Sequence, residues 1–194
     1  ISKRPVVALE FALMADGVPP KDVYKTLSTS AGMDRAFKKL DTIKKNLIFW
    51  EAGAQPPQML ADGEVVMTTA YNGRIFNAQM QEKKPFVIIW ENHVYNWDFY
   101  TIPKGTKNKK TAMEFLKFAT DTQRLADQAS WISYGPVRKS SVPLISTFHG
   151  TDVQMAPHMP TAPENFKTAL ETDNEWWADN QDEVNKRYNA WMAK

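Results

Sequence analysis

The chain has 194 residues, of which 43% are hydrophobic and 24% are charged, proportions that are typical of a soluble globular protein. Lysine and arginine total 24 against 22 aspartate and glutamate residues, so the net charge of +2 does not point to nucleic acid or an anionic membrane surface as a partner. The chain has no cysteine, which excludes thiol nucleophiles and cysteine-based zinc sites.

The first 50 residues predict three helices and one short strand. Residues 5–15 have a helical apolar stripe and end at a glycine, Pro19-Pro20 opens a second short helix, and residues 31–45 place Met33, Phe37 and Leu40 at helical spacing. The apolar run at residues 47–50 predicts a buried strand.

The middle of the chain alternates predicted strands and helices. A brief helix ends at Asp62-Gly63, and β-branched residues then predict a strand. Helices are expected at residues 74–83, 110–119 and 121–130, and strands at residues 64–71, 85–90 and 94–102.

Residues 137–163 are rich in Pro, Ser and Thr, which indicates an extended surface connection. Trp177, Val184, Tyr188 and Trp191 then form the stripe of a terminal helix. Interleaved helices and strands predict the α/β class.

Catalytic signatures are missing from the sequence. There is no nucleophile elbow, phosphate-binding loop, dinucleotide fingerprint or zinc-helix motif, and His93, His149 and His158 lack metal-ligand spacing. We therefore predict no catalytic residue, no metal and no cofactor, and we predict that the protein is not an enzyme. The alternative is an enzyme domain whose acid and base come together from distant positions.

Four short segments carry a family resemblance. They are DGEVVM with AYNG, WDFYTIP with NK, YGP, and EW, at residues 62–73, 97–109, 134–136 and 175–176. In this order and spacing they resemble the bacterial periplasmic spermidine/putrescine-binding proteins, the extracellular solute-binding proteins of ABC transporters.

The resemblance implies a type II periplasmic-binding-protein-like fold with two α/β lobes, here lacking most of the N-terminal lobe. Residues 1–96 would be a second-lobe segment, and residues 97–144 a hinge crossing with a returning first-lobe segment. Residues 145–194 would be a connection and C-terminal helices that pack on the second lobe. The start at Ile1, with no signal peptide, suggests an internal start.

The function implied is binding of a small charged solute, a polyamine or related amine, in a cleft, and its delivery to the membrane permease subunits of an ABC transporter. The expected location is periplasmic or extracytoplasmic, the expected state is a monomer, and nucleic acid is not an expected partner.

Site residues carry over from the family by position. Tyr71 matches an aromatic that stacks on the ligand, Asp98 a carboxylate that meets a ligand ammonium, and Tyr134 a ligand-contacting tyrosine. Trp176 matches a tryptophan near the terminal helix, and Trp177 stands where a relative has a polar amide. Core packing is the alternative for Tyr71 and both tryptophans, and bonding to backbone amides is the alternative for Asp98.

Two departures weaken the polyamine interpretation. Asn96 stands where the family has an aromatic, and on a strand Trp97 would face away from Asp98. Arg74 would repel an ammonium, unless it points outward or the ligand carries an acidic group. The alternative ligand is therefore an amino acid or another carboxylate-bearing solute. A sugar is a third possibility, which would need neutral amides beside the aromatic faces.

Overall fold

The computed structural model describes residues 1–194, which form eight α-helices and one two-stranded sheet. None of these helices has the length and apolar character needed to cross a membrane. In chain order the elements are α1 (Ala8–Ala15), α2 (Val23–Leu27), α3 (Ser30–Asp41), α4 (Gln55–Ala61), α5 (Asn72–Gln81), β1 (Val94–Tyr95), α6 (Lys109–Ala119), α7 (Thr122–Ala129), β2 (Leu170–Glu171) and α8 (Asn174–Met192). All the helices predicted from apolar periodicity are confirmed, with shifts of a few residues at their ends.

The chain forms two compact units. Unit 1 contains residues 1–74, 89–96 and 168–194, and unit 2 contains residues 75–88 and 97–167. The chain changes units between Asn96 and Trp97, where the sequence analysis places a boundary. It also changes units at three positions that the predicted division did not include, after residues 74, 88 and 167.

The core of unit 1 is built by α1, α3 and α8. Leu9 and Leu13 of α1 are fully buried, and Phe37 of α3 packs its ring 6.3 Å from Tyr188 and 6.1 Å from Trp191 of α8. Aromatic pairs at this spacing stabilise a core beyond the area they bury. The last helix of the chain therefore packs against the first helices.

A buried carboxylate lies inside this core. Glu10 is fully buried, and its Oε1 accepts hydrogen bonds of 2.9 Å from the Tyr24 hydroxyl and from the Trp177 indole N–H, while Oε2 has no hydrogen-bond partner. Burial raises the pKa of the Glu10 carboxyl, an effect opposed by its hydrogen bonds. Three helices, α1, α2 and α8, are thus joined through one acceptor.

Unit 2 has a smaller core around α5 and α7. Phe76 is fully buried and packs edge-on against Phe148 at 5.3 Å, beside Met155 and Met159. These contacts explain two differences from the predicted organisation. Residues 75–88 do not belong with the rest of residues 1–96, and residues 145–167 group with unit 2 because their methionines fill its core.

Most of the predicted strands do not form. The one sheet pairs β1 with β2 in parallel, Val94 opposite Leu170 and Tyr95 opposite Glu171, and Trp50 makes only an isolated bridge with Ser2. The predictions for residues 64–71 and 85–90, and for the part of 94–102 beyond Tyr95, were wrong. A strand needs a neighbour for its ladder hydrogen bonds, and these segments have none.

Apolar side chains of these unpaired segments are exposed. Val66 is completely exposed, Val87 is 83% exposed and Phe99 is 73% exposed. Helix α6 likewise has no buried residue, although Phe115 contacts Tyr100 edge-on at 6.2 Å. Helix α6 therefore forms as its amphipathic pattern predicts, but its apolar side chains are not buried in a core.

Replacing Glu10 with glutamine should change how stability depends on pH. The folded pKa of Glu10 lies above its unfolded value, so the native state holds the proton over a pH range in which the unfolded state has lost it. This group's contribution to stability is fully present below the unfolded pKa near 4.5 and is lost as pH rises through the folded pKa.

Glu10→Gln keeps the acceptor oxygen and cannot ionise, so its stability relative to the wild type should increase as pH is raised from 4.5 to about 8. Urea denaturation followed by tryptophan fluorescence measures this difference. A difference that stays constant or shrinks with rising pH would contradict it. Glu175→Gln, at an exposed position in the first turn of α8, is the control.

Candidate functional site

An aromatic surface lies directly before α5. Tyr71 is 51% exposed, and its ring meets Trp50 edge-on at a centroid distance of 6.1 Å. Trp50 is itself buried and held by backbone bonds, since its N–H donates to the Ile1 carbonyl at 2.9 Å and its carbonyl accepts from the Lys3 N–H at 2.8 Å. One side of the Tyr71 ring therefore packs against Trp50 and the other side is open to solvent. This differs from the alternative in which Tyr71 is a core residue.

Arg74 lies beside Tyr71 in the first turn of α5. Its N–H donates to the Tyr71 carbonyl at 3.0 Å, its side chain is exposed, and both side chains lie against Gly53. A guanidinium binds a carboxylate through two parallel hydrogen bonds. The positive, N-terminal end of a helix also favours a negatively charged group. The Tyr71–Arg74 pair can thus hold an acidic group against an aromatic face.

Asn96, Trp97 and Asp98 follow the end of β1. Asn96 closes its stretch of unit 1, whereas Trp97 and Asp98 belong to unit 2, and all three side chains are exposed to solvent. The sequence analysis expected Trp97 to face away from Asp98 because side chains alternate along a strand. The strand ends at Tyr95, so this rule does not apply to residues 96–98. Asp98 offers a carboxylate accessible to a cation.

Tyr134 lies after α7 in unit 2 and is half-buried. Its N–H donates to the Ile132 carbonyl at 2.8 Å, and the following Gly135 lies so close to Thr161 that an added Cβ would come 2.2 Å from the threonine Oγ1. Glycine at this position therefore allows the segment that carries Tyr134 to approach the chain around residue 161.

The two tryptophans at the start of α8 have different surroundings. Trp177 is buried and donates its indole N–H to Glu10, so helix packing accounts for its side chain. Trp176 is half-buried, donates its indole N–H to the Ser28 hydroxyl at 2.9 Å and lies 5.6 Å from the Tyr24 ring. Of the two, Trp176 keeps an accessible surface.

Trp50 and Gly53 are neighbours of the site that the sequence analysis did not single out. The available signal was a turn, Glu51-Ala52-Gly53, directly after a tryptophan. Their contact with Tyr71 spans about 20 residues of chain, which apolar periodicity does not report. No group of three or more His, Asp or Glu residues could hold a metal ion.

Comparison with known proteins decides the family. Residues 2–161 match the family described as bacterial extracellular solute-binding protein. The chain belongs to this family. The broader part of the sequence resemblance, an extracellular solute-binding protein, is thereby confirmed, as is the prediction that the chain is not an enzyme.

Individual relatives agree with this assignment. The chain is 46% identical over 186 residues to the gamma-aminobutyric acid-binding protein of Pseudomonas aeruginosa, an alignment that covers 96% of this chain and 51% of the relative. A solved GABA receptor is 33% identical with a TM-score of 0.78, covering 100% of this chain and 57% of the receptor. MotA of A. tumefaciens B6, solved with glucopine, is 26% identical with a TM-score of 0.83, covering 98% of this chain and 58% of MotA.

These likenesses confirm the predicted fold class. The chain has the periplasmic-binding-protein fold over somewhat more than half the length of the solved structures, and it spans about half the length of the curated relative. The relatives described above bind gamma-aminobutyric acid or glucopine, according to their names, and neither is named for spermidine or putrescine.

Trp177→Phe should destabilise the protein by about 2–4 kcal/mol, because it removes a buried hydrogen bond to a carboxyl group and leaves a gap where the larger indole packed. Trp176→Phe removes a hydrogen bond to an exposed serine and should cost less, about 0.5–1.5 kcal/mol. Urea denaturation of the two variants measures both costs. Equal costs would show that the Glu10 bond adds nothing beyond an ordinary surface contact.

Proposed function

We propose that this chain binds a small zwitterionic amino acid of the gamma-aminobutyric acid type for an ABC importer. The observation that carries the proposal is the 46% identity to a gamma-aminobutyric acid-binding protein across 96% of the chain. It favours the alternative ligand of the sequence analysis, a carboxylate-bearing amine, over a polyamine. A polyamine has no acidic group, whereas gamma-aminobutyric acid has one carboxylate and one ammonium.

Arg74 is the proposed partner of the ligand carboxylate. The guanidinium is exposed beside the Tyr71 ring, and no acidic side chain forms an ion pair with it among the salt bridges of the structure. A charge-assisted hydrogen bond to a carboxylate contributes about 1.5–3 kcal/mol. The same guanidinium would oppose an ammonium at that position, which is why a pure polyamine fits this residue poorly.

Asp98 is the proposed partner of the ligand ammonium. Its carboxylate is exposed, and the family resemblance of the sequence matches Asp98 to a carboxylate that meets a ligand ammonium. Together with Arg74 it gives the ligand-binding residues one group of each sign, which suits a ligand that is both an acid and an amine.

Aromatic residues are proposed to contact the aliphatic part of the ligand. Tyr71 has one open side, Tyr134 and Trp97 are accessible, and Trp176 is the accessible tryptophan of α8. Asn96 adds a neutral amide. Because charged groups accompany these aromatic faces, the set suits an amino acid better than a sugar, which would be flanked by neutral amides.

The proposed partners follow from the family. The loaded protein would deliver its solute, outside the cytoplasm, to the permease subunits of an ABC transporter, acting as a monomer without a cofactor. These are properties proposed for the natural full-length polypeptide.

A ligand panel tests the proposed solute class. Isothermal titration of the natural full-length polypeptide should show binding of gamma-aminobutyric acid, and much weaker binding of putrescine, of butylamine, which lacks the carboxylate, and of butyrate, which lacks the amine. Each missing charged group should weaken affinity about 10- to 100-fold. Tighter binding of putrescine than of gamma-aminobutyric acid would restore the polyamine interpretation.

Two substitutions assign the charges. Arg74→Ala should weaken gamma-aminobutyric acid binding about 10- to 100-fold and remove the preference for it over butylamine, because the carboxylate loses its partner. Asp98→Asn should weaken binding by a similar factor and remove the preference over butyrate.

Matched controls are Arg4→Ala in unit 1 and Asp152→Asn in unit 2, both exposed residues outside the proposed site. Their affinities should stay within about twofold of the wild type, as expected for surface changes. The assignment is wrong if the preference over butylamine survives Arg74→Ala, or if the controls weaken binding as much as the site variants do.

A further inference from the structure

Gly53 lies in a turn whose backbone is held from several directions. The N–H groups of Glu51 and Ala52 both donate to the Gln55 side-chain oxygen, at 2.7 Å and 2.8 Å, and the Gln55 N–H donates to the Ala52 carbonyl at 2.9 Å. Just before the turn, the Trp50 backbone N–H donates a hydrogen bond to Ile1, and the Trp50 carbonyl accepts one from Lys3. The main chain around Gly53 therefore has little freedom to move.

The space beside Gly53 is filled by the site. A Cβ added to Gly53 would lie 2.7 Å and 2.8 Å from Cε2 and Cδ2 of Tyr71, and 3.3 Å from Nε of Arg74. Carbon atoms in favourable contact are about 3.5–4.0 Å apart, so the Tyr71 ring could not stay where it is. The backbone of Gly53 is not in the left-handed region, so side-chain contact and not backbone conformation requires a glycine here.

The Tyr71 ring is the group that must yield most to an added methyl. The turn is held, and Trp50 supports the Tyr71 ring from another side, but about half of the Tyr71 side chain faces solvent and can rotate outward. An alanine at position 53 would thus move the aromatic face while leaving the fold in place.

We propose that Gly53 is a positioning residue for ligand binding. By lacking a side chain it sets the Tyr71 ring, and next to it the Arg74 guanidinium, in the arrangement that meets the ligand. This inference rests on the proposed function, because it concerns the same ligand-binding residues. Its effect runs mainly through Tyr71, whose ring carbons are the closest atoms.

Gly53→Ala in the natural full-length polypeptide is the direct test. Affinity for gamma-aminobutyric acid, measured by isothermal titration, should fall about tenfold, an effect comparable to loss of a cation–π contact. The melting temperature without ligand should fall by no more than about 4 °C, since the only packing lost is the contact between the half-exposed Tyr71 ring and Trp50. The control Ala52→Ser adds one atom to the same turn at an exposed position and should leave affinity unchanged.

A double-mutant cycle separates positioning from a general structural effect. In a Tyr71→Ala background, where the ring is gone, Gly53→Ala should change affinity by less than about twofold. A loss as large as in the wild-type background would overturn the inference, because the effect would then not pass through Tyr71. Unchanged affinity of the single Gly53→Ala variant would overturn it as well.

A ligand-free measurement keeps this test independent of the proposed solute. Nuclear Overhauser contacts between the Gly53 α-protons and the Tyr71 ring protons should be present in the wild type and lost or rearranged in Gly53→Ala. Absence of these contacts in the wild type, or an unmoved ring in the variant, would overturn the inference. Failure of the wild type to bind gamma-aminobutyric acid while the contacts are present would instead refute the proposed solute.

Discussion

The buried carboxylate of Glu10 is the interaction on which unit 1 depends. It accepts a hydrogen bond from Tyr24 and another from Trp177, a residue 167 positions away, so it joins the beginning of the chain to the last helix. An acid in an apolar core is costly unless its polar atoms are bonded, and here two aromatic donors bond Oε1 while adding apolar surface of their own, whereas Oε2 has no partner. This contact joins two of the three stretches of chain that form unit 1, residues 1–74 and 168–194.

The candidate site is placed on that framework. Trp50 is fixed by backbone bonds to the first residues of the chain, the Tyr71 ring packs against Trp50, and Arg74 lies in the first turn of the helix that follows. The hydrogen-bonded backbone fixes the buried Trp50 indole, and the indole supports the half-exposed Tyr71 ring. The exposed Arg74 guanidinium lies beside that ring. A site of this kind combines a rigid base with solvent-accessible recognition groups, which is what selective binding of a small charged solute requires.

Helices and strands differed in how well the sequence predicted them. The apolar stripes of α3, α6 and α8 repeat over a few residues, and the hydrogen bonds of a helix lie within the same segment, so its pattern is local. Residues 64–71 and 85–90 have strand-like composition, yet a strand is completed only by a neighbour, which no local pattern specifies. Val66 and Val87 are therefore exposed where a paired strand would bury one face.

The sequence by itself determined the helices and the absence of catalytic motifs, because both depend on residue type and short-range order. The candidates Tyr71, Arg74 and Asp98 came from the family resemblance of the sequence and stay predictions. Only the tertiary structure decided that Trp177 bonds Glu10, that Phe76 belongs to unit 2, and that Gly53 makes room for Tyr71. These facts are contacts between residues separated by 18 to 167 positions. Such contacts arise from how elements pack, and packing depends on the shapes of all the side chains together.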